Sequence, residues 1–335
     1  MKLYSPATIA ALREKHGFKI SKSLGQNFLT DQNIIDKIID GAEIETSDVV
    51  LEIGPGMGVL TAAAAERASK VIAIEIDKNL LPVLADTLAE HNNIEVIHGD
   101  VLKQDLNEII AQSLATDSDS ELEKSAVDFN AEPTANHDDP LPKSAVDADA
   151  NFDESAIAST GSLKSKVKII GNLPYYITTP IIMKILEEKI CAKSITIMMQ
   201  KEVAERINAK PGNKTYGAIT VAINYYCTVH HITDVHRSVF IPKPNVDSQV
   251  IRLDIRETPS VFVESEKVFF ACIKAGFGQR RKTLSNALTG VCGLEKQEVL
   301  EALASAKIDP TRRAETLDLS EFAILSNYIA AYLSH

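Results

Sequence analysis

The chain has 335 residues, 45% hydrophobic and 24% charged, which is enough for two domains with a substantial core and excludes a disordered or fibrous composition. No apolar run approaches the ~18 residues of a membrane span, Met1-Lys2-Leu3-Tyr4-Ser5-Pro6 has no secretory apolar core, and Cys191, Cys227, Cys272 and Cys292 lack zinc or disulfide-framework spacing, so a cytoplasmic protein with no membrane and no metal partner is expected. The net charge of −11 would disfavour a nucleic-acid partner, but residues 117–154 hold twelve Asp or Glu against two Lys, a local −10, so the rest is close to neutral and its basic patches become the relevant feature.

Residues 1–29 form a basic arm: Lys2, Arg13, Lys15, Lys19 and Lys22 face the single acid Glu14, with a short helix expected from Pro6 to His16. A polar loop from Lys22 to Leu29 precedes a helix expected from about Asp31 to Asp40. Strand 49–53, helix 58–68, strand 70–76, helix 78–90 and strand 94–98 then alternate as the βαβαβ units of a doubly wound sheet. Between the first strand and helix stand Gly54, Gly56 and Gly58. Glycines there let backbone approach a ligand where any Cβ would collide, and the helix beyond presents unpaired N–H groups.

The spacing G-x-G-x-G falls one residue short of the dinucleotide fingerprint G-x-G-x-x-G. Glu75, closing the second strand, can accept from ribose hydroxyls in a nicotinamide site as well as in other nucleoside sites, so it leaves both readings open. Glu52 separates them. With it the loop reads E-x-G-x-G-x-G and resembles motif I of the S-adenosylmethionine methyltransferases, whose cofactor is cationic and suits a nearby carboxylate. Asp100 follows the third strand at its carboxyl end, where it can accept from an adenine amine or cap the next helix.

A helix over 105–112 is expected to dissolve into an acidic segment rich in Ser, Asp, Ala and Pro, with Lys-Ser-Ala-Val-Asp at 124–128 and again at 143–147. We read 113–165 as a disordered insertion that cannot bury enough apolar surface to order itself. The fourth strand, 166–171, runs into Asn172-Leu173-Pro174-Tyr175-Tyr176. An exocyclic adenine amine is a poor nucleophile, so an enzyme must place acceptors on its hydrogens while aligning it with a methyl donor. The Asn172 side chain and the main-chain carbonyl of Leu173 or Pro174 are the candidate acceptors, and Tyr175 offers a face for an extruded base. The bland alternative is a proline turn with a core tyrosine.

Helix 178–188, strand 194–199, a helix from about Gln200 to Asn208 and the segment 216–226 follow. Phe240-Ile241-Pro242-Lys243-Pro244-Asn245-Val246-Asp247-Ser248 then forms an extended loop before the strand Gln249–Ile255; Phe240 either closes the second face of a stacked base or packs in the core. From Pro259 the pattern is helical, over about 264–276, 281–289, 295–306 and 320–333. Arg280, Arg281 and Lys282 stand at an expected helix start, where the macrodipole disfavours cations unless phosphate neutralises them. Arg312 and Arg313 add to the same basic stretch, and a solvated charge run is the competing reading.

Taken together, Gly25-Gln26-Asn27-Phe28-Leu29, Glu52 to Gly58, Glu75, Asp100, Asn172 to Tyr175, Phe240 to Ser248 and Gln279 to Leu284 resemble the ribosomal RNA adenine N6-dimethyltransferases over nearly the whole chain, and among them the small-subunit branch. The resemblance implies an α/β fold: a Rossmann-like class I S-adenosylmethionine methyltransferase domain over 1–258 and a small all-α domain over 259–335 that binds RNA or the ribosome. It implies that Asn27, Leu29, Gly54, Gly56, Glu75, Asp100 and Asn172 contact S-adenosyl-L-methionine. Asn172, Leu173, Pro174, Tyr175 and Phe240 would hold the target adenine, and Lys22, Arg280, Arg281, Lys282, Arg312 and Arg313 the RNA. The implied activity is dimethylation of two adjacent adenines in a hairpin near the 3′ end of 16S rRNA, within an immature small ribosomal subunit, by a monomer. Dimethylation of 23S rRNA, as in the antibiotic-resistance branch, and a non-catalytic assembly or transcription factor on the same fold are the alternatives. The acidic insertion departs from the family pattern.

Overall fold

Strands β2 (Val49–Ile53), β3 (Lys70–Glu75), β5 (Val167–Asn172) and β6 (Ser194–Gln200) are almost continuously apolar and buried on both faces, the pattern of central parallel strands. A computed structural model of the chain describes residues 2–21, 24–125, 167–174 and 176–333, with the backbone alone over 116–125. The strands run parallel in the order β4-β3-β2-β5-β6, with β4 (Ile94–His98) at the rim. β9 (Ser248–Ile255) then pairs antiparallel with β6, and β7 (Cys227–Val235) pairs antiparallel with β9, completing seven strands. The order reverses at β2, which has β3 on one side and β5 on the other.

Period-two alternation divides β2 between two cores. Val49, Leu51 and Ile53 pack with α5 (Leu106–Ser125) through Leu106 and Ile110, and with α6 (Thr178–Glu187) through Ile181 and Ile185. Val50 points the other way, to Ile35 and Ile38 of α2 (Gln32–Gly41) and Leu60 and Ala64 of α3 (Val59–Ala65). Asp31 caps α2, its carboxylate accepting from the Ile34 N–H. A cluster of Ile9, Leu12, Phe18, Phe28, Met57, Leu80 and Val83 seats α1 (Pro6–His16) and the arm beyond it on α4 (Leu81–Thr87). The charged residue within β5, Lys168, is buried and paired with buried Asp48 at 2.9 Å, and also donates to the Glu43 carbonyl.

The C-terminal helices α9 (Glu266–Gly278), α10 (Leu284–Ala287), α11 (Lys296–Ser305) and α12 (Leu319–Leu333) enclose a second core built on Phe269, Cys272, Leu303, Phe322 and Ile329. Tyr216, Val221 and Tyr225, from the segment that follows α7 (Lys201–Ile207) and ends in α8 (Ala218–Tyr226), pack into the same core. Among the described residues no helix is long and apolar enough to cross a membrane, and no group of three or more metal-ligating side chains is found.

Four expectations need correction. The helix expected over 105–112 continues to Ser125, so residues 113–125, assigned to the insertion, are helical; 126–165 lie outside the described residues. The helix expected over 281–289 is the single turn Leu284–Ala287 behind Thr283, so Arg280, Arg281 and Lys282 precede a helix too short to sum a sizeable macrodipole, and that argument loses its force. Strand β7 was not expected. It is an edge strand whose half-exposed Thr228, His230, His231 and Asp234 mask its period, and a register shift between His231 and Thr233 breaks the alternation further. The two-residue sheet of β1 (Phe28–Leu29) with β8 (Phe240–Ile241) was also missed.

Candidate active site

A cavity opens at the carboxyl ends of β2, β3 and β5, at the point where strand order reverses, the position at which open α/β sheets bind ligands. Asn27, Leu29, Gly54, Gly56, Glu75, Asp100, Asn172, Leu173 and Pro174 all line it. These residues, spread over almost 150 positions of sequence, are thus brought to one concavity.

The glycine loop is pinned from β3. Gly54 N–H donates to the Ile74 carbonyl at 3.0 Å, and Gly56 N–H to Glu75 Oε2 at 3.2 Å, while Asp77 N–H donates to Glu75 Oε1 at 2.8 Å. Gly54 and Gly56 hold φ of +71° and +60°, and a Cβ on Gly56 would lie 3.3 Å from the Phe28 ring, so glycine meets both the backbone and the space requirement. Burial raises the Glu75 pKa above the usual carboxylate range, the Asp77 and Gly56 N–H groups oppose the rise, and the Asp77 charge adds to it.

Glu52 is 1% exposed and lines the cavity. Burial pushes its pKa up to about 8; the Thr61 hydroxyl facing it opposes the shift, and the Glu75 charge adds to it. The Thr61 contact falls short of hydrogen-bond geometry, so Glu52 Oε2 and Thr61 Oγ1 are both buried without a partner. Asp100 holds the turn that follows β4 by accepting from the Leu102 N–H at 3.1 Å, and Lys103 stands 3.4 Å away. It therefore holds a turn and lines the cavity, whereas the next helix is capped by Asp105, whose carboxylate accepts from the Glu108 N–H at 3.0 Å.

Asn172 ends β5. Its Nδ2 donates to the main-chain carbonyl of Asn27 at 3.0 Å, an assignment that follows from the acceptor it faces, and this leaves Oδ1 as the free acceptor. The Pro174 carbonyl accepts from the Ile177 N–H and from the Thr178 hydroxyl, each at 3.1 Å. Of the two main-chain acceptors considered from sequence, Pro174 is therefore engaged and Leu173, whose carbonyl has no partner among the described residues, is the one available.

Phe240 does not line the cavity. It is 3% exposed and packs in the core with Leu29, its partner across β1 and β8. Tyr175 and Lys22 lie outside the described residues. Ile76 and Val101, which also line the cavity, were not singled out from sequence, and Gln26 and Phe28, named there within a motif, were given no site role. Ile76 is 46% exposed directly after Glu75; an apolar residue beyond the acid that closes a strand was the available signal. Gln26 clamps the arm, donating to Asp77 at 2.7 Å and accepting from the Ser21 N–H at 2.7 Å.

The basic stretch divides in two. Arg280 Nη2 donates to the Lys214 and Tyr216 carbonyls and to Glu315 at 2.8, 3.1 and 3.0 Å. Arg312 forks onto Glu321 at 2.5 and 3.0 Å and donates to the Thr316 carbonyl. Both are committed within the fold. Arg281, Lys282 and Arg313 are exposed.

A family model described as ribosomal RNA adenine dimethylase matches residues 17–331. The chain is 46% identical over 333 residues to "Ribosomal RNA small subunit methyltransferase A" of Alkaliphilus oremlandii, covering 99% of each, and 45% identical over 321 residues to the protein of that name from Clostridioides difficile, covering 96% of this chain and 94% of the relative. Among solved structures, a dimethyladenosine transferase from Plasmodium falciparum superposes with a TM-score of 0.63 at 26% identity, over 89% of this chain and 95% of that one. The 23S rRNA methyltransferase ErmE follows in fold at 0.56 and 24%, over 90% and 99%. The chain belongs to the ribosomal RNA adenine dimethylase family.

Proposed function

We propose that the chain uses S-adenosylmethionine to dimethylate N6 of adenines in 16S rRNA, acting on two adjacent adenines of a hairpin near the 3′ end in the immature small subunit. It is a ribosomal RNA adenine dimethyltransferase with a Rossmann-like class I fold. The observation that carries the site reading is the pair of unengaged acceptors, Asn172 Oδ1 and the Leu173 carbonyl, beside a cavity whose glycine loop is tied to Glu75.

The cavity suits the cofactor on three counts: a glycine loop that admits close approach, the buried acceptor Glu75, and the buried carboxyl of Glu52, whose Oε2 has no partner and which a cationic donor would complement. Gly54, Gly56, Asn27 and Leu29 would form its walls, Glu75 would take the ribose hydroxyls and Asp100 the adenine amine, with Ile76 and Val101 against the base. When bound, S-adenosylmethionine supplies an activated methyl group on a sulfonium. Asn172 Oδ1 and the Leu173 carbonyl accept from the two N6 hydrogens, which aligns the nitrogen and makes it more nucleophilic. Tyr175 would give a stacking face. Phe240, buried against Leu29 and absent from the cavity wall, would contribute by holding Leu29 and the arm in place.

Arg281, Lys282 and Arg313 are the exposed cations that would take phosphate, with Lys22 on the arm; Arg280 and Arg312 would shape the surface that presents them. The division at 258/259, a monomeric state, a cytoplasmic location and the lack of a metal complete the reading. Labelled methyl transfer to purified small subunits that lack the modification, compared with large subunits and followed by nucleoside analysis, tests it. Dimethyladenosine in 16S rRNA is expected; label in 23S rRNA would select the other branch, and no transfer would leave a non-catalytic RNA-binding factor.

A further inference from the structure

A carboxyl group buried without a hydrogen-bond partner is unstable as an anion and takes up a proton unless a cation joins it. Glu52 is in that situation. It sits on β2 with Ala73 of β3 and Ile170 of β5 as its lateral neighbours, and α3 contributes only the Thr61 hydroxyl. The charged group that reaches it is Glu75, of like sign. Glu75 differs in kind, since two main-chain N–H groups already favour its charged form.

We propose that Glu52 is neutral in the empty cavity, ionises as the cationic donor enters, and regains its proton once the methyl has left and the sulfur is uncharged, so that the site holds donor in preference to spent product. This rests on the S-adenosylmethionine reading of the cavity. The proton goes to solvent on binding and returns from it after transfer, so charge balances over the cycle: one positive charge enters with the donor and departs with the methylated amine, whose own proton is then lost to water. Because the folded carboxyl titrates near pH 8, it is largely protonated at neutral pH, and donor affinity rises with pH up to that point. The limit is about tenfold per pH unit for one proton released.

The test is titration calorimetry of S-adenosylmethionine and S-adenosylhomocysteine into the full chain, near neutral pH, in buffers of different ionisation enthalpy. With donor, the heat should vary with buffer as expected for release of most of one proton, and affinity should rise several-fold between about pH 6 and pH 7. With the product both effects should be markedly smaller. Glu52→Gln, near-isosteric and neutral, should bind donor with no buffer dependence, a flat pH profile and a smaller donor-to-product affinity ratio. Absence of buffer dependence in the unaltered chain, equal proton release by both ligands, or an unchanged profile in Glu52→Gln would each overturn the inference. The first two are decided on the unaltered chain, so a Gln variant that fails to fold does not protect the proposal. Failure of donor to bind at all would instead remove the cofactor reading on which it stands.

Discussion

Asn172 and Asn27, 145 residues apart, are joined by a 3.0 Å hydrogen bond from the side-chain amide of one to the main-chain carbonyl of the other. The bond ties the end of a central strand to the N-terminal arm and fixes which face of the carboxamide meets the cavity. Gly25, two residues before Asn27, makes the contact possible: it holds φ of +63°, and a Cβ there would lie 3.2 Å from the Pro174 ring.

Asn172→Ala and Asn172→Asp should both lose methyl transfer by about 100-fold or more, the usual cost of removing a positioned transition-state partner. The Asp variant keeps an acceptor but sets a carboxylate against the Asn27 carbonyl. Both should melt within a few degrees of the unaltered chain, because the side chain sits at a strand end outside the apolar core. Single-turnover rates alongside melting curves check this; near-normal turnover by the folded Asp variant would remove the orientation argument.

Glu75→Gln should weaken cofactor binding about tenfold or more while leaving RNA affinity unchanged. One oxygen becomes a donor facing either Gly56 N–H or Asp77 N–H, and a charge-assisted hydrogen bond is worth about 1.5–3 kcal/mol. Equilibrium binding of each ligand separately is the measurement, and parallel losses for both would contradict the assignment.

The Arg312–Glu321 fork gives a pH-dependent contribution to stability. Arg312 holds the Glu321 carboxyl below the usual carboxylate range, with burial opposing. A depressed folded pKa stabilises above the unfolded value and is lost as pH falls through the folded one. Arg312→Ala should therefore lower the melting temperature at neutral pH, and the difference from the unaltered chain should shrink below about pH 4. A gap that persists in acid would assign the loss to packing of the guanidinium stem.

The parallel strands, the glycine loop and the Asn172 turn were legible because each announces itself locally: unbroken apolar strands, three glycines in five residues, a strand running into Asn-Leu-Pro. Phe240 and Arg280 were not, because their partners are remote, and Arg312 was not, because it folds back on Thr316 and Glu321 across an irregular turn with no helical period. Phe240 is defined by Leu29 across a two-residue sheet, and Arg280 by Lys214 and Glu315, 66 and 35 residues away. No periodicity encodes such pairings, so a run of cations read as one patch separates into two internal braces and three exposed charges. The extension of α5 past residue 112 was hidden because its sequence there is as polar as the segment beyond.

That separation yields the last prediction. Replacing Arg281, Lys282 and Arg313 together by Ala should leave melting unchanged, since all three are exposed, but should weaken binding to small subunits and flatten its salt dependence. Each neutralised phosphate contributes roughly 0.7–0.9 to the slope of log affinity against log salt, so the triple variant should lose about 2 in slope. Arg280→Ala should behave in the opposite way. It removes donors to two carbonyls and a partly buried carboxylate, costing about 1–3 kcal/mol of stability, while the salt slope stays within about half a unit because that guanidinium is already neutralised inside the fold. Thermal melts and particle binding over a salt series separate the two variants. A flattened slope for Arg280→Ala, or a normal one for the triple variant, would reverse which cations face the RNA.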